Sequence, residues 1–154
     1  TFALYEINLY TRICAICQPL SILQWQLTSD YSLLWGDGIY GSKGPLRPTQ
    51  RFWNIKQLAS TPADALAIPV SSSKKNVNCA AFGNMVRGEY AVHMVNNGAD
   101  CEAVISGIPA EVKKLKVYVT NTKDCMKETA VKVENGLVRV HLPAISFITL
   151  WSDK

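Results

Sequence analysis

The residues up to about Thr61 carry three elements that cannot close a core on their own. A helical pattern, a buried-strand pattern and a second helical pattern follow one another, and after Pro62 short alternating strands continue to Lys154. A lone strand between two helices has two unpaired edges and no second layer for its apolar faces. The sequence therefore reads as the tail end of a repeated α/β fold, residues 1–61, followed by an all-β domain, residues 62–154. The predicted class is mainly β: an antiparallel sandwich of about eight strands preceded by an α-β-α remnant. On this reading the active centre lies upstream of Thr1.

Within the remnant, Phe2, Leu4, Ile7, Tyr10, Ile13, Cys14 and Cys17 recur at helical spacing, and Gln18-Pro19 ends the run. Ser21 to Leu27 reads as a strand with Leu23, Trp25 and Leu27 on one face and Ile22, Gln24 and Gln26 on the other. Thr28 to Arg47 is a long connection with four glycines and the polar and aromatic residues Asp30, Tyr31, Trp35, Asp37 and Tyr40. A connection this long inside a compact domain is often functional. Pro48 is expected in the first turn of a second helix, with Phe52, Ile55 and Leu58 as its apolar stripe. Asp37, between two glycines, reads as a turn residue.

Beyond Pro62, strands are predicted at 66–70, 77–82, 90–95, 101–106, 115–120, 129–134, 137–142 and 146–151. Two Asn-Gly pairs suggest two-residue hairpins. Asn97-Gly98 would pair Met94 with Cys101, Val92 with Ala103 and Tyr90 with Ile105, leaving His93 opposite Glu102. Asn135-Gly136 would pair Val133 with Val138 and Val131 with Val140, leaving His141 opposite Ala130. Both registers separate apolar from polar side chains, as expected of a sandwich with one buried face per sheet.

Composition narrows the function classes. Sixteen basic and twelve acidic residues give a net charge of +4, and the basic residues are scattered, so a nucleic-acid partner is not expected. No apolar run reaches membrane-spanning length, no membrane partner is expected, and no signal peptide is visible. The five cysteines are odd in number and irregularly spaced; Cys14 and Cys17 form a C-x-x-C late in a helix, without a second pair to complete a zinc site. They read as small buried apolar residues. No cofactor, metal site, phosphate-cradling loop or nucleophile elbow is predicted.

The order of elements, with Ile22-Leu-Gln-Trp25, the long aromatic loop, Pro48-Thr-Gln-Arg-Phe-Trp-Asn-Ile-Lys-Gln-Leu58 and the closing Val140-His-Leu-Pro-Ala-Ile-Ser-Phe-Ile-Thr-Leu150, resembles the C-terminal portion of a retaining (β/α)8-barrel glycoside hydrolase with an appended β-sandwich. The resemblance is strongest to glycoside hydrolase family 30. It implies that residues 1–61 close the barrel, and that Trp25 sits near the end of the eighth strand, as a sugar platform or a barrel-core aromatic. It puts Asp30, Tyr31, Trp35 and Tyr40 on the loop at the catalytic face. It also implies a carbohydrate substrate, an extracellular or periplasmic parent enzyme, and the missing barrel portion as partner. The family's two carboxylates, about 5–5.5 Å apart in retaining enzymes, belong to strands four and seven, upstream of this chain. Glu6 lies too far along a helix to serve as nucleophile, so no catalytic residue is expected here and the chain alone is expected to be inactive.

Two other classes remain open at this stage. A carbohydrate-binding module needs a row of exposed aromatics, and Phe82, Tyr90, Tyr118, Phe147 and Trp151 do not form one. A structural or adhesion sandwich needs no site at all. In any of these cases the first sixty residues must either pack on their own sandwich or self-associate, because they carry more apolar surface than a monomer normally exposes.

Overall fold

The computed structural model describes residues 1–23, 32–39 and 41–152. The first element is helix α1 (Phe2–Cys17), closed by Gln18 in the left-handed conformation just before Pro19. Its buried face is Ala3, Leu4, Glu6, Ile7, Thr11 and Cys14, a narrower stripe than expected, since Phe2 and Cys17 are exposed. Ser21–Leu23 forms no strand, and the rest of the predicted Ser21–Leu27 strand lies outside the described residues.

The long connection contains a small hairpin of β1 (Leu34–Trp35) and β2 (Arg47–Pro48). Asp37 and Gly38 turn within it with positive φ, as expected of a turn. Gly36 is required beside them: a Cβ there would lie 2.3 Å from the Pro45 carbonyl oxygen. Pro48 is not in the first helical turn. It pairs with Leu34 as the last residue of β2, where a missing N–H is tolerated at a sheet edge, and Thr49 caps the following helix by accepting from the Phe52 amide.

Helix α2 (Gln50–Leu58) departs further from expectation. Phe52, Ile55 and Leu58 are only half-buried, and the residues driven inside are Arg51, Asn54 and Gln57. Spaced three apart, these polar residues face α1 and the sheet behind it. The apolar-stripe reading failed because the surface beneath α2 presents hydrogen-bonding groups rather than hydrocarbon.

All eight predicted strands form: β3 (Leu66–Ile68), β4 (Val77–Asn84), β5 (Glu89–Asn96), β6 (Cys101–Ser106), β7 (Lys114–Thr120), β8 (Lys127–Lys132), β9 (Leu137–Leu142) and β10 (Ser146–Trp151). They build a six-stranded antiparallel sheet, β3-β4-β5-β10-β7-β8, faced by a two-stranded sheet, β6-β9. Neither predicted hairpin register holds. β5 pairs with β4 and β10, while β6 pairs with β9; β8 pairs with β7. Both Asn-Gly segments carry the chain from one sheet to the other.

The physical reasons differ at the two crossings. Asn97 and Gly98 have no positive φ, so they do not form the mirror-image turn a two-residue hairpin needs. Instead the fully buried Asn96 donates through Nδ2 to the carbonyls of Ala99, Leu142 and Pro143 and accepts the Gly98 amide, steering the chain toward the end of β9. Asn135 and Gly136 do have positive φ, and Glu134 pairs with Leu137 across them, but the pairing stops there. Val133 donates to the Lys113 carbonyl, which holds that end of the chain beside β7.

The face assignments hold although the partners were wrong. Met94, Leu115, Val117, Val138, Val140, Leu142, Ile148 and Leu150 are buried in one cluster between the sheets, with Tyr90, Val92, Cys101, Ala103 and Ile105 packed against it. The residues predicted to pair side by side meet across the sandwich instead. The other face of the large sheet is not solvated: α1 and α2 cover it, and Leu4, Ile7, Val95 and Phe147 form a second core there. The first elements thus pack on their own sandwich.

Candidate functional site

The densest array of buried polar groups lies at this second interface, where the helices meet the sheet. Gln57 is completely buried on the inner side of α2. Its Oε1 accepts from Thr120 Oγ1 at 2.7 Å, and its Nε2 donates toward Thr149 Oγ1 at 3.0 Å and the carbonyls of Phe147 and Tyr118 at 3.1 and 3.2 Å. Thr149 Oγ1 also lies 2.8 Å from His93 Nδ1, and His93 Nε2 lies 2.8 Å from Thr61 Oγ1, which donates to the Leu58 carbonyl at 2.7 Å.

The order of donors fixes the imidazole. Thr149 spends its oxygen accepting from Gln57 and donates its proton to Nδ1; Nε2 then carries the hydrogen and donates to Thr61. His93 is therefore neutral, and burial pushes its pKa down to about 3. Its ring stacks on Phe147 with centroids 5.8 Å apart and meets the edge of Phe82 at 5.9 Å. This corrects the expected His93–Glu102 pair. Glu102 instead faces His141 across β6 and β9, with 3.0 Å between Oε1 and Nδ1 on the exposed face, so His141 does not sit against Ala130.

A second polar cluster ties α1 to α2. Arg51 donates from Nε and Nη2 to the two carboxylate oxygens of Glu6 at 2.7 and 2.6 Å, a bidentate pair with both residues buried. The guanidinium also lies over the Phe2 ring, 5.3 Å from its centroid. Tyr10 donates to Glu6, and burial together with that carboxylate holds its phenol above the ordinary range. Asn54 donates to the Ala3 carbonyl, while Arg51 Nη1 and Asn54 Oδ1 are buried with no hydrogen-bond partner among the described residues.

Neither cluster has the form of a catalytic centre. Glu6 is held on Arg51 inside a helix pair, as a structural carboxylate. Other described carboxylates are also engaged: Asp64 and Glu89 with Arg87, Asp124 with Lys127, and Glu111 with the Tyr90 hydroxyl. Among the described residues, no group of three His, Cys, Asp or Glu is placed to hold a metal ion. The five cysteines are free; Cys14 is buried, which raises its thiol pKa, whereas Cys17 and Cys125 are exposed rather than buried as expected. A cavity of about 900 Å³ opens between the C-terminal ends of α1 and α2 and strand β3, walled by Tyr10, Ile55, Leu58, Leu66 and Phe82. Asp64 is the one charged residue among its described lining.

Of the residues predicted to meet sugar, Trp25, Asp30, Tyr31 and Tyr40 lie outside the described residues. Trp35 is on β1 opposite Arg47 and is 39% exposed, on the hairpin that runs directly into α2. The sequence reading missed Gln57, Thr149, Thr61 and the role of Arg51. Two signals pointed to them: a polar stripe, Arg51-Asn54-Gln57, along a helix otherwise read as apolar, and a threonine inside Phe147-Ile-Thr-Leu-Trp151.

Comparison with known proteins gives a likeness of fold. No protein-family model matches the chain, and no curated relative does. Among solved structures, the xylanase Xyn30A of glycoside hydrolase family 30 subfamily 8 from Clostridium acetobutylicum superposes with a TM-score of 0.84 at 14% identity, over 99% of this chain and 39% of that one. The catalytic domain of the family 30 xylanase C from Talaromyces cellulolyticus gives 0.79 at 22% identity, over 99% of this chain and 35% of that one. AbfB, a family 51 α-L-arabinofuranosidase from Bifidobacterium longum, gives 0.66 at 15% identity, over 98% and 34%. The chain spans well under half the length of each. Its fold is that of part of a glycoside hydrolase, as the sequence resemblance implied.

Proposed function

We propose that this chain is the closing segment of a glycoside hydrolase acting on polysaccharide or glycoconjugate, comprising the last barrel elements and an accessory β-sandwich. The observation that carries the proposal is the superposition of 99% of the chain on a family 30 xylanase, because it includes both helices and the sandwich together. The polar seam gives the sandwich its role: Gln57, Thr61 and His93 fix α2, and α2 carries the hairpin of Trp35. In the parent enzyme Trp25, Asp30, Tyr31, Trp35 and Tyr40 would lie on the sugar side of the barrel, and the sandwich would brace the helix behind them. The parent would act outside the cytoplasm, in the extracellular space or periplasm.

Both catalytic carboxylates would come from upstream, so the purified chain is expected to give no turnover on aryl glycosides, xylan or other β-linked oligosaccharides. Turnover lost in Glu6→Gln or Asp30→Asn would overturn that expectation. A carbohydrate-binding module is the weaker reading, because Phe147 is fully buried and Phe82 packs against His93, which takes two of the sandwich's five aromatics out of any exposed row. Titration with neutral oligosaccharides separates the two, since saturable binding abolished by Tyr118→Ala would favour the module.

A further inference from the structure

Among its described groups the seam holds an imidazole that takes up a proton in acid once the seam opens, and it is joined to both sides of the junction. His93 rises from β5, bonds Thr149 on β10 through Nδ1, and bonds Thr61, on the segment leaving α2, through Nε2. Thr61 in turn donates to the Leu58 carbonyl at the end of α2, and the amides of Ala59, Ser60 and Thr61 close the last turns on Ile55, Gln57 and Leu58. The imidazole thus acts beside Gln57 in pinning the C-terminal end of α2 to the sheet.

We infer that His93 is an acid-sensitive pin, which releases α2 from the sandwich on protonation while the core between the two sheets stays closed. The reason is the donor order. Protonated, the ring carries two N–H groups, and Nδ1 would then point a proton at the Thr149 hydroxyl, whose own proton has no other acceptor among the groups bonded to it. The imidazolium would also be a buried charge without a counter-ion.

Among the described residues, the surroundings offer it none. On α1 the groups that can carry charge on the sheet side are Glu6, already neutralised by Arg51, and the Tyr10 phenol and Cys14 thiol, both neutral and both shifted further from ionisation. On α2 Arg51 is bound to Glu6 and Lys56 lies over Trp53. Asp64, beyond Thr61, is drawn to Arg87, as is Glu89 of β5. β7 contributes Lys116, over Trp151, and Tyr118 on this face; β10 contributes no titratable group. Burial alone accounts for the lowered pKa. The core between the sheets contains no histidine, and its cluster is hydrocarbon.

The sign follows from linkage. The folded pKa lies below the unfolded value, so the opened state takes up a proton first. The stabilisation is complete above about pH 6.5 and is lost as pH falls toward 3. At pH 4 the opening constant of the seam should be about 200-fold higher than at neutral pH, from the two pKa values. This inference concerns the chain itself and stands whether or not the glycosidase reading does.

Hydrogen exchange on the intact chain tests it, with opening constants corrected for the intrinsic pH dependence of exchange. The amides of Ala59, Ser60 and Thr61 should gain roughly two orders of magnitude in opening between pH 7 and pH 4, by that linkage, while Val138 and Val140 on β9 stay protected. In His93→Gln, whose amide can still bridge the two threonines but does not titrate, the gain should disappear. An equal gain in wild type and variant would overturn the inference. If the variant does not fold, the wild-type His93 ring resonances decide: titration near the ordinary histidine value in the folded protein would overturn it, and absence of titration down to pH 4 would support it.

Discussion

The two faces of the six-stranded sheet are buried by different chemistry. The inner face meets β6-β9 through Met94, Val117, Leu142, Ile148 and Leu150, a hydrocarbon contact with no directional requirement. The outer face meets α1 and α2 through Gln57, His93, Thr149 and Thr120, flanked by Glu6 and Arg51, where each group needs a partner at a set position. Hydrophobic burial scales with area and tolerates sliding. A buried hydrogen-bond network contributes less net free energy but penalises every misplacement, because an unmet polar group is expensive. The inner face therefore supplies cohesion, and the outer face sets where the helices sit.

Substitutions should separate these roles. The largest effect is expected at the outer face. Glu6→Leu strands the Arg51 guanidinium inside the helix pair and should destabilise the chain by roughly 3–5 kcal/mol, whereas Glu6→Leu with Arg51→Met should recover most of that loss. Chemical denaturation of the single and double variants checks it; a double variant no better than the single would remove the ion pair from the account. Next, Leu142→Ala on the inner face should cost about 3 kcal/mol through lost burial and a residual cavity. It should raise exchange across both sheets, whereas Glu6→Leu should act first on α1 and α2.

Gln57→Leu sharpens the contrast further. It keeps the volume but removes the amide that bonds the Thr120 and Thr149 hydroxyls and the Phe147 and Tyr118 carbonyls, and should cost about 2 kcal/mol. If Gln57→Leu proved neutral in urea denaturation, the seam would be as permissive as the inner core. The smallest effect is expected at His141 on the exposed face of β9. His141→Ala breaks only a solvated pair with Glu102 and should change stability by less than about 1 kcal/mol.

Much of this architecture was legible in local pattern. Both helices and all eight strands were expected close to where they form, because alternation of Val, Ile and Leu with polar residues specifies a half-buried strand whatever it pairs with. Gln18-Pro19 ended α1 as expected, since proline restricts the residue before it. Near the site, Asp37 turned as its glycine neighbours suggested. The seam was not legible, because Gln57 and His93 look like ordinary surface residues until the surface opposite them is known. Trp25, expected to contact sugar, lies outside the described residues.

By itself the sequence determined which strand residues face the core between the sheets and roughly where the strands lie, since those depend on the pleat of a strand; it did not determine the buried face of α2, which carries Arg51, Asn54 and Gln57. The tertiary structure alone decided which strands are neighbours. A period of two marks the side a residue faces, and strands in the same sheet and strands in the opposing sheet both present their apolar side to the one core. Tyr90, Val92 and Met94 share that core with Cys101, Ala103 and Ile105 equally well as hairpin partners or as opposite walls. The buried amide of Asn96, bonded to carbonyls of a strand end forty-six and forty-seven residues away, selected the second arrangement.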